Sequence, residues 1–413
     1  MFFETKEKAE CFACEACSQI CPKEAIQMQE DEEGFRYPVI DSKKCVNCGV
    51  CRRICPHEHL PEKFVTDKFV FGGYHIDKDI RFESTSGGAF SAIVDAFCDS
   101  NYVIFGAEAK GIDVFHNYIT DKIFLRKFRK SKYSQSTIGD SYKRVSSFLL
   151  EGKKVLFSGT PCQISGLRSF LGKTDMKNLL TVEVVCEGVP SALYIRKYEN
   201  ALRRKYGSGI ETLDYRYTGK SLFRHGKWDF QIMRTVLKKD NIEVEKDRWF
   251  NPFWSIWLNH LMSRPSCYNC KFTTVGRVAD ITLGDLWGVH LYCPELYGEN
   301  GGSSLVICNT EKGKTVAQQA IKQMYGHELD FNEALKYQSP LRKTIEANSK
   351  RNLFMKDIKS DMSYQEINRK WAKKPSIELL FEKYVWGNRQ KIFWWRMKQI
   401  ILKSLLDKLR RNQ

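Results

Sequence analysis

Cys11-x2-Cys14-x2-Cys17-x3-Cys21-Pro22 and Cys45-x2-Cys48-x2-Cys51-x3-Cys55-Pro56 put eight thiols into the first sixty residues in two copies of one spacing. Three cysteines so spaced on a tight loop reach three irons of one cube. The fourth, at the start of a helix pointing away, serves the other cube. The spacing therefore predicts two 4Fe-4S clusters, one on Cys11, Cys14, Cys17 and Cys55, the other on Cys45, Cys48, Cys51 and Cys21. Zinc, which paired C-x2-C segments also bind, closes at four ligands and does not call for two interleaved sets of three plus one.

Between the motifs, Ile26-Gln27-Met28-Gln29 and Phe35-Arg36-Tyr37-Pro38-Val39-Ile40 flank the acidic Glu30-Asp31-Glu32-Glu33-Gly34 and read as a hairpin. Residues 1–60 thus resemble a bacterial two-cluster ferredoxin, an α+β domain.

The 413-residue chain is long enough for two or three domains. It has no run of about 18 apolar residues. Met1-Phe2-Phe3-Glu4-Thr5-Lys6-Glu7 is not a basic start leading into an apolar stretch, so a cytoplasmic location is expected. In such a chain, 15 cysteines point to metal or redox work rather than disulfides. Of the net charge of +17, the segment 341–413 carries +12, with 19 Lys and Arg against 7 Asp and Glu. The remaining 340 residues are nearly balanced, which argues against a nucleic-acid-binding body.

Beyond a linker at 61–71, apolar strand-like runs alternate with helix-like stretches, the pattern of an α/β domain. The runs are 102–106, 155–159, 180–185 and 278–284, each with a glycine at or near its end. Ligands in open α/β sheets gather at such strand ends. Ser84-Thr85-Ser86-Gly87-Gly88 leads into an apolar helical run at 90–97, yet no G-x-G-x-x-G follows a strand, so the usual dinucleotide fingerprint is missing.

Six segments occur in order: Ser84-Thr85-Ser86-Gly87-Gly88-Ala89-Phe90-Ser91, Ser131-Lys132-Tyr133-Ser134-Gln135-Ser136, the stretch 152–167 containing Ser158-Gly159-Thr160-Pro161-Cys162-Gln163, Val185-Cys186-Glu187-Gly188-Val189-Pro190-Ser191, Arg264-Pro265-Ser266-Cys267-Tyr268-Asn269-Cys270, and Ala279-Asp280-Ile281-Thr282-Leu283-Gly284-Asp285-Leu286-Trp287-Gly288. Together they resemble the beta subunit of coenzyme F420 hydrogenases and dehydrogenases. The resemblance implies an N-terminal family domain at 72–150, a C-terminal one at 151–335 and an α/β domain that binds FAD. Ser86, Gly87, Gly88, Lys132, Gln135, Ser136, Thr160 and Gln163 would line the flavin. It also implies a third 4Fe-4S cluster beside the flavin on Cys162, Cys186, Cys267 and Cys270. A hydride donor delivers two electrons and a cluster accepts one, so a flavin is the natural adaptor.

Glu187 stands where the family has histidine, and Lys130 where it has a small residue. The donor is therefore open among F420, a nicotinamide and ferredoxin. The expected activity is that of an iron–sulfur flavoprotein oxidoreductase. The alternatives are a ferredoxin-dependent reductase in surface polysaccharide biosynthesis, or an electron-transfer subunit with no substrate of its own. His116 reads as a hydrogen-bonded structural residue, and Phe250, Phe253, Trp254 and Trp257 read as core. Cys98, Cys293 and Cys308 read as small buried hydrophobes. The tail at 341–413 is expected to be helical. Trp394, Met397, Ile401 and Leu405 fall on one face bordered by Lys and Arg, as in a helix lying on a membrane surface.

Overall fold

The computed structural model describes residues 2–64, 69–219, 232–247, 250–297 and 301–381, with isolated positions beyond. The N-terminal hairpin pairs β1 (Ile26–Glu30) with β2 (Arg36–Ile40), Ile26 opposite Ile40 and Glu30 opposite Arg36. Its turn is held by Asp31, whose Oδ1 accepts from the backbone N–H of Glu33 and Phe35 at 3.0 and 2.9 Å. Short polar side chains that bond the backbone two residues on favour such turns.

Eight further strands form the central sheet: β3 (Phe69–His75), β4 (Tyr102–Lys110), β5 (Asp113–Ile119), β6 (Lys154–Gly159), β7 (Leu179–Val184), β11 (Ile281–Asp285), β12 (Ser304–Cys308) and β13 (Met324–Glu328), counted around the small sheet β8 (Ile210–Asp214), β9 (Ile232–Leu237) and β10 (Glu243–Asp247). Their order is β13-β3-β12-β11-β7-β6-β4-β5. The centre, β11-β7-β6-β4, is parallel, whereas β12, β13 and β5 run against their neighbours.

Side chains alternate across a strand, so a sheet covered on both faces needs unbroken apolar runs. Ile104, Leu156, Leu180 and Val182 face a core closed by the helices Ala89–Phe97 and Glu311–Ala320. Val103, Phe105, Val155, Phe157 and Leu179 face the other core, which contains Tyr142 and Ile164 from the helices Ser141–Leu150 and Pro161–Leu171. Phe12, Cys14 and Ala16 of the N-terminal module belong to that second core. Gln19 strengthens the joint: its Oε1 accepts from the backbone N–H of Tyr142 and Lys143, the open N-terminus of a helix.

Three of the four predicted runs become β4, β6 and β7. The fourth begins only at Ile281, because Asp280 turns inward and accepts from the Thr181 N–H and Oγ1–H at 2.9 and 2.7 Å. Strands from both sides of residue 150 share one sheet, so the segments 72–150 and 151–335 have a common core. The small antiparallel sheet β10-β9-β8 was not anticipated, since its strands are short and interspersed with charge.

Phe253, Trp254 and Trp257 are buried with Tyr194 and with Phe354 of the helix Arg351–Lys359, while Phe250 lies exposed. The C-terminal segment is helical at Arg351–Lys359, Tyr364–Trp371 and Ile377–Phe381. Trp394, Met397 and Ile401 are helical too, with Trp394 and Ile401 exposed, and Leu405 is outside the described residues. Among the described residues no helix is long and apolar enough to cross a membrane.

Candidate redox site

The two N-terminal cysteine loops repeat in backbone as well as in sequence. Ala13 and Asn47, each midway between the first two thiols of its motif, have φ of 51° and 52°; Glu15 and Gly49, two residues on, have 63° and 71°. Left-handed residues curl each loop tightly enough for its thiols to point inward. Outside glycine and asparagine this costs roughly 1–2 kcal/mol per residue. Glu15 is held there by its Oε2, which accepts from the Gly139 N–H at 3.1 Å, and by Arg36, 3.1 Å from its Oε1.

Cys11, Cys14, Cys17 and Cys55 line one cavity with Phe12, Pro56 and other residues of the module. Cys55 comes from the second motif, so the structure brings together the three-plus-one set read from the spacing. On the other side, Cys51 lies within electrostatic reach of Cys21 and Cys48, and Cys45 is 3.7 Å from Asn47 Oδ1. The Ala13 and Ala25 N–H groups point at the sulfurs of Cys11 and Cys21. Such N–H···S bonds help set a cluster's potential.

A second cavity is lined by Cys162, Cys186, Cys267 and Cys270. These thiols come from three separate elements. Cys162 sits in the first turn of the helix Pro161–Leu171, Cys186 follows β7 by two residues, and Cys267 lies in the turn Pro265–Asn269 that Cys270 caps. Gly188, at φ 108°, passes close to Cys267, whose Cβ would lie 3.4 Å from a Cβ added there. The loop after Cys270 is ordered by Arg277, which donates to the carbonyls of Phe272 and Thr274 and pairs with Glu183 inside the sheet. Burial first, and then the neighbouring Cys267 and Cys162, push the Cys186 thiol well up. Four soft donors converging from different elements suit an iron–sulfur cube and leave no protein ligand over.

Phe12 walls both cavities. Arg264 joins them. It is 1% exposed, its Nε donates to the Cys11 carbonyl at 3.0 Å, its Nη2 to the Arg36 carbonyl at 3.0 Å and its Nη1 to Gln135 Oε1 at 3.2 Å, and it borders the four-cysteine cavity. Its guanidinium also stands 4.4 Å from the Tyr37 ring centre. Sequence reasoning placed Arg264 in a motif but gave it no role, because a single arginine carries no spacing signal.

The eight residues expected to line a flavin separate into groups. Ser86 Oγ donates to the Ser303 carbonyl, the Gly87 N–H donates to Ser304 Oγ, and Gly88 caps the helix Ala89–Phe97, all at one side of the sheet's C-terminal edge. Lys132 Nζ donates to the carbonyls of Arg129 and Lys127, and desolvation holds its pKa down to about 7. Gln135 Nε2 donates to the Phe12 carbonyl at 2.9 Å, so it grips the cysteine loop. Thr160 and Gln163 form a capping box on the helix Pro161–Leu171. Gln163 Nε2 donates to Ser136 Oγ, Ser136 Oγ–H donates to His116 Nδ1, and His116 Nε2–H donates to the Ser158 carbonyl, each at 2.9 Å. Ser136, Gln163 and His116 are buried, and desolvation lowers the imidazole to about 4. His116 is thus structural, as expected. Glu187 borders the four-cysteine cavity, whereas Lys130 pairs with Asp214 at 2.5 Å.

Residues 10–59 match the family model of the 4Fe-4S dicluster domain, and residues 152–333 match that of the C terminus of the coenzyme F420 hydrogenase/dehydrogenase beta subunit. Residues 152–333 thus carry the C-terminal domain of the F420 hydrogenase/dehydrogenase beta-subunit type, behind a 4Fe-4S dicluster domain at residues 10–59. The chain is an iron–sulfur electron-transfer protein of that oxidoreductase type, with two 4Fe-4S clusters in its dicluster domain. Among solved structures, a chain of the F420-reducing NiFe hydrogenase complex from Methanosarcina barkeri is similar at 16% identity and a TM-score of 0.42, covering 75% of this chain and 91% of that one. No curated protein matches the chain. The matched segments contain both cysteine-lined cavities apart from a few wall residues.

Proposed function

We propose that this protein is an electron-transfer oxidoreductase of the beta-subunit type, in which Cys162, Cys186, Cys267 and Cys270 hold a third 4Fe-4S cluster and the C-terminal edge of the central sheet holds an FAD. Bound clusters supply one-electron storage, and a bound flavin supplies two-electron hydride exchange. The observation that carries this reading is that four thiols from three elements line a cavity sharing Phe12 and Arg264 with the surroundings of Cys11. Four partly buried thiols converging on one cavity from three elements are the arrangement a cluster requires.

The chain's own residues bind, space and insulate. Phe12 and Phe272 close the four-cysteine cavity with apolar rings, and Arg264 lays a fixed positive charge between the two thiol sets. Ser86, Gly87, Gly88 and Lys132 would meet a flavin from the sheet's C-terminal edge, with Lys132, which desolvation holds down to about 7, able to take up or release a proton near neutral pH. Gln135, Ser136, Thr160 and Gln163 would line the site from beside the cysteine loop, Gln135 gripping the Phe12 carbonyl and Gln163 tying Thr160 to Ser136.

Anaerobic purification followed by iron, sulfide and flavin analysis tests the reading. The expected result is about twelve irons per chain, for three cubes, and a yellow chromophore identified as FAD. Stepwise addition of NADH, NADPH, reduced F420 and reduced ferredoxin should bleach the flavin with one of them. A protein with about eight irons and no flavin overturns the proposal and leaves a two-cluster carrier.

A further inference from the structure

Cys293 was expected to be an inert buried thiol, like Cys98 and Cys308. It is buried, but its Sγ faces a polar pair at the surface: Glu295 Oε1 lies 3.1 Å away and His327 Nε2 3.0 Å away, and these two are 3.3 Å apart. The three atoms form a nearly equilateral triangle. Cys293 follows the helix Val289–Tyr292, Glu295 is in the turn Pro294–Leu296, and His327 is on β13, which among the described residues pairs with β3 alone.

A nucleophilic relay would place the thiol on one ring nitrogen and the carboxylate on the other. Here both meet Nε2, so the triangle is not a relay. Thiolate, imidazole and carboxylate are each ligands that zinc takes, and three protein ligands with an open fourth position is the arrangement of a zinc site that keeps a water. With bonds of about 2.0–2.3 Å in a tetrahedron, ligand atoms stand roughly 3.4–3.6 Å apart. The observed triangle needs to widen by about half an ångström at the sulfur and less between the other two atoms, which Glu295 and His327, each about half exposed, can supply.

We propose that Cys293, Glu295 and His327 bind a divalent zinc-type cation, with water as fourth ligand, separate from the iron–sulfur sites. On binding, the Cys293 S–H proton leaves to solvent and the sulfur coordinates as thiolate. The ion ties β13, the edge strand of the central sheet, to the turn that follows the helix Val289–Tyr292, and so acts as a clamp on the sheet edge.

The test uses full-length, cluster-loaded protein equilibrated with zinc and freed of excess by gel filtration. Wild type should retain one zinc per chain, with X-ray absorption reporting one sulfur and otherwise nitrogen and oxygen ligands. His327→Ala and Glu295→Gln, both surface changes, should lose that zinc at unchanged iron content. Zinc should raise the thermal unfolding midpoint of wild type and not of His327→Ala. The idea is overturned by wild type that retains no zinc, by zinc in all-sulfur coordination, or by equal retention in His327→Ala.

Discussion

Cys14 packs directly onto Gly166: a Cβ at position 166 would sit 2.8 Å from the Cys14 Cβ and 3.1 Å from its Sγ. Gly166 lies one helical turn past Cys162, so a single helix face touches both the dicluster module and the four-cysteine cavity. The missing side chain allows the close approach.

Gly166→Ala should therefore displace Cys14 rather than improve the helix. Overpacking a filled interior costs about 1–3 kcal/mol, more than the roughly 1 kcal/mol an alanine gains in helix propensity. Denaturant unfolding and iron content report the change. A variant as stable as wild type with full iron would show that the contact is slack.

Cys186→Ala and Cys267→Ala should each lower iron by about four per chain while leaving the spectra of the dicluster module intact. Cys55→Ser should instead perturb the cluster near Cys14 and spare the one near Cys48. Loss of both N-terminal clusters together, with iron otherwise unchanged, would contradict the crossed ligand sets.

Arg264→Gln removes a buried positive charge beside the Cys11 carbonyl and the four-cysteine cavity. Reduction adds negative charge to a cluster, so potentials should fall; about 59 mV corresponds to 1.4 kcal/mol for one electron. Redox titration followed by electron paramagnetic resonance measures this. Unchanged or raised potentials would remove Arg264 from the tuning role.

His116 is neutral in the folded protein because desolvation lowers its pKa to about 4. The unfolded chain takes up that proton near pH 6.5, so between about 6.5 and 4 the unfolded state binds more protons and stability falls as pH falls. The contribution is whole above pH 6.5, and its loss amounts to about 3 kcal/mol once pH reaches 4. His116→Gln should flatten this slope between pH 6.5 and 5.5 in urea unfolding. An unaltered slope would assign the acid sensitivity elsewhere.

Much of this architecture was legible along the chain. Spacing alone paired Cys55 with Cys11, Cys14 and Cys17, because covalent reach limits which thiols can meet around one cube, and the structure lines one cavity with those four. Apolar runs located β4, β6 and β7, because strands covered on both faces leave no polar alternation. Local signals failed where partners are remote. Asp280 shortened β11 by bonding Thr181, a residue 99 positions away. Gln135 and Gln163, which the family resemblance places at a flavin, hydrogen-bond to the Phe12 carbonyl and to Ser136, partners that no local pattern names.

The sequence by itself determined the two cysteine motifs of the dicluster domain, three of the strands at the centre of the sheet and the resemblance of the C-terminal part to the beta-subunit family, since each is written in short-range spacing. Only the tertiary structure decided that the dicluster module shares a core with the sheet, that Arg264 stands between two thiol-lined cavities, and that Cys293 meets His327. These depend on burying apolar surface between segments far apart in the chain, and that packing is a property of the assembled interior rather than of any local pattern.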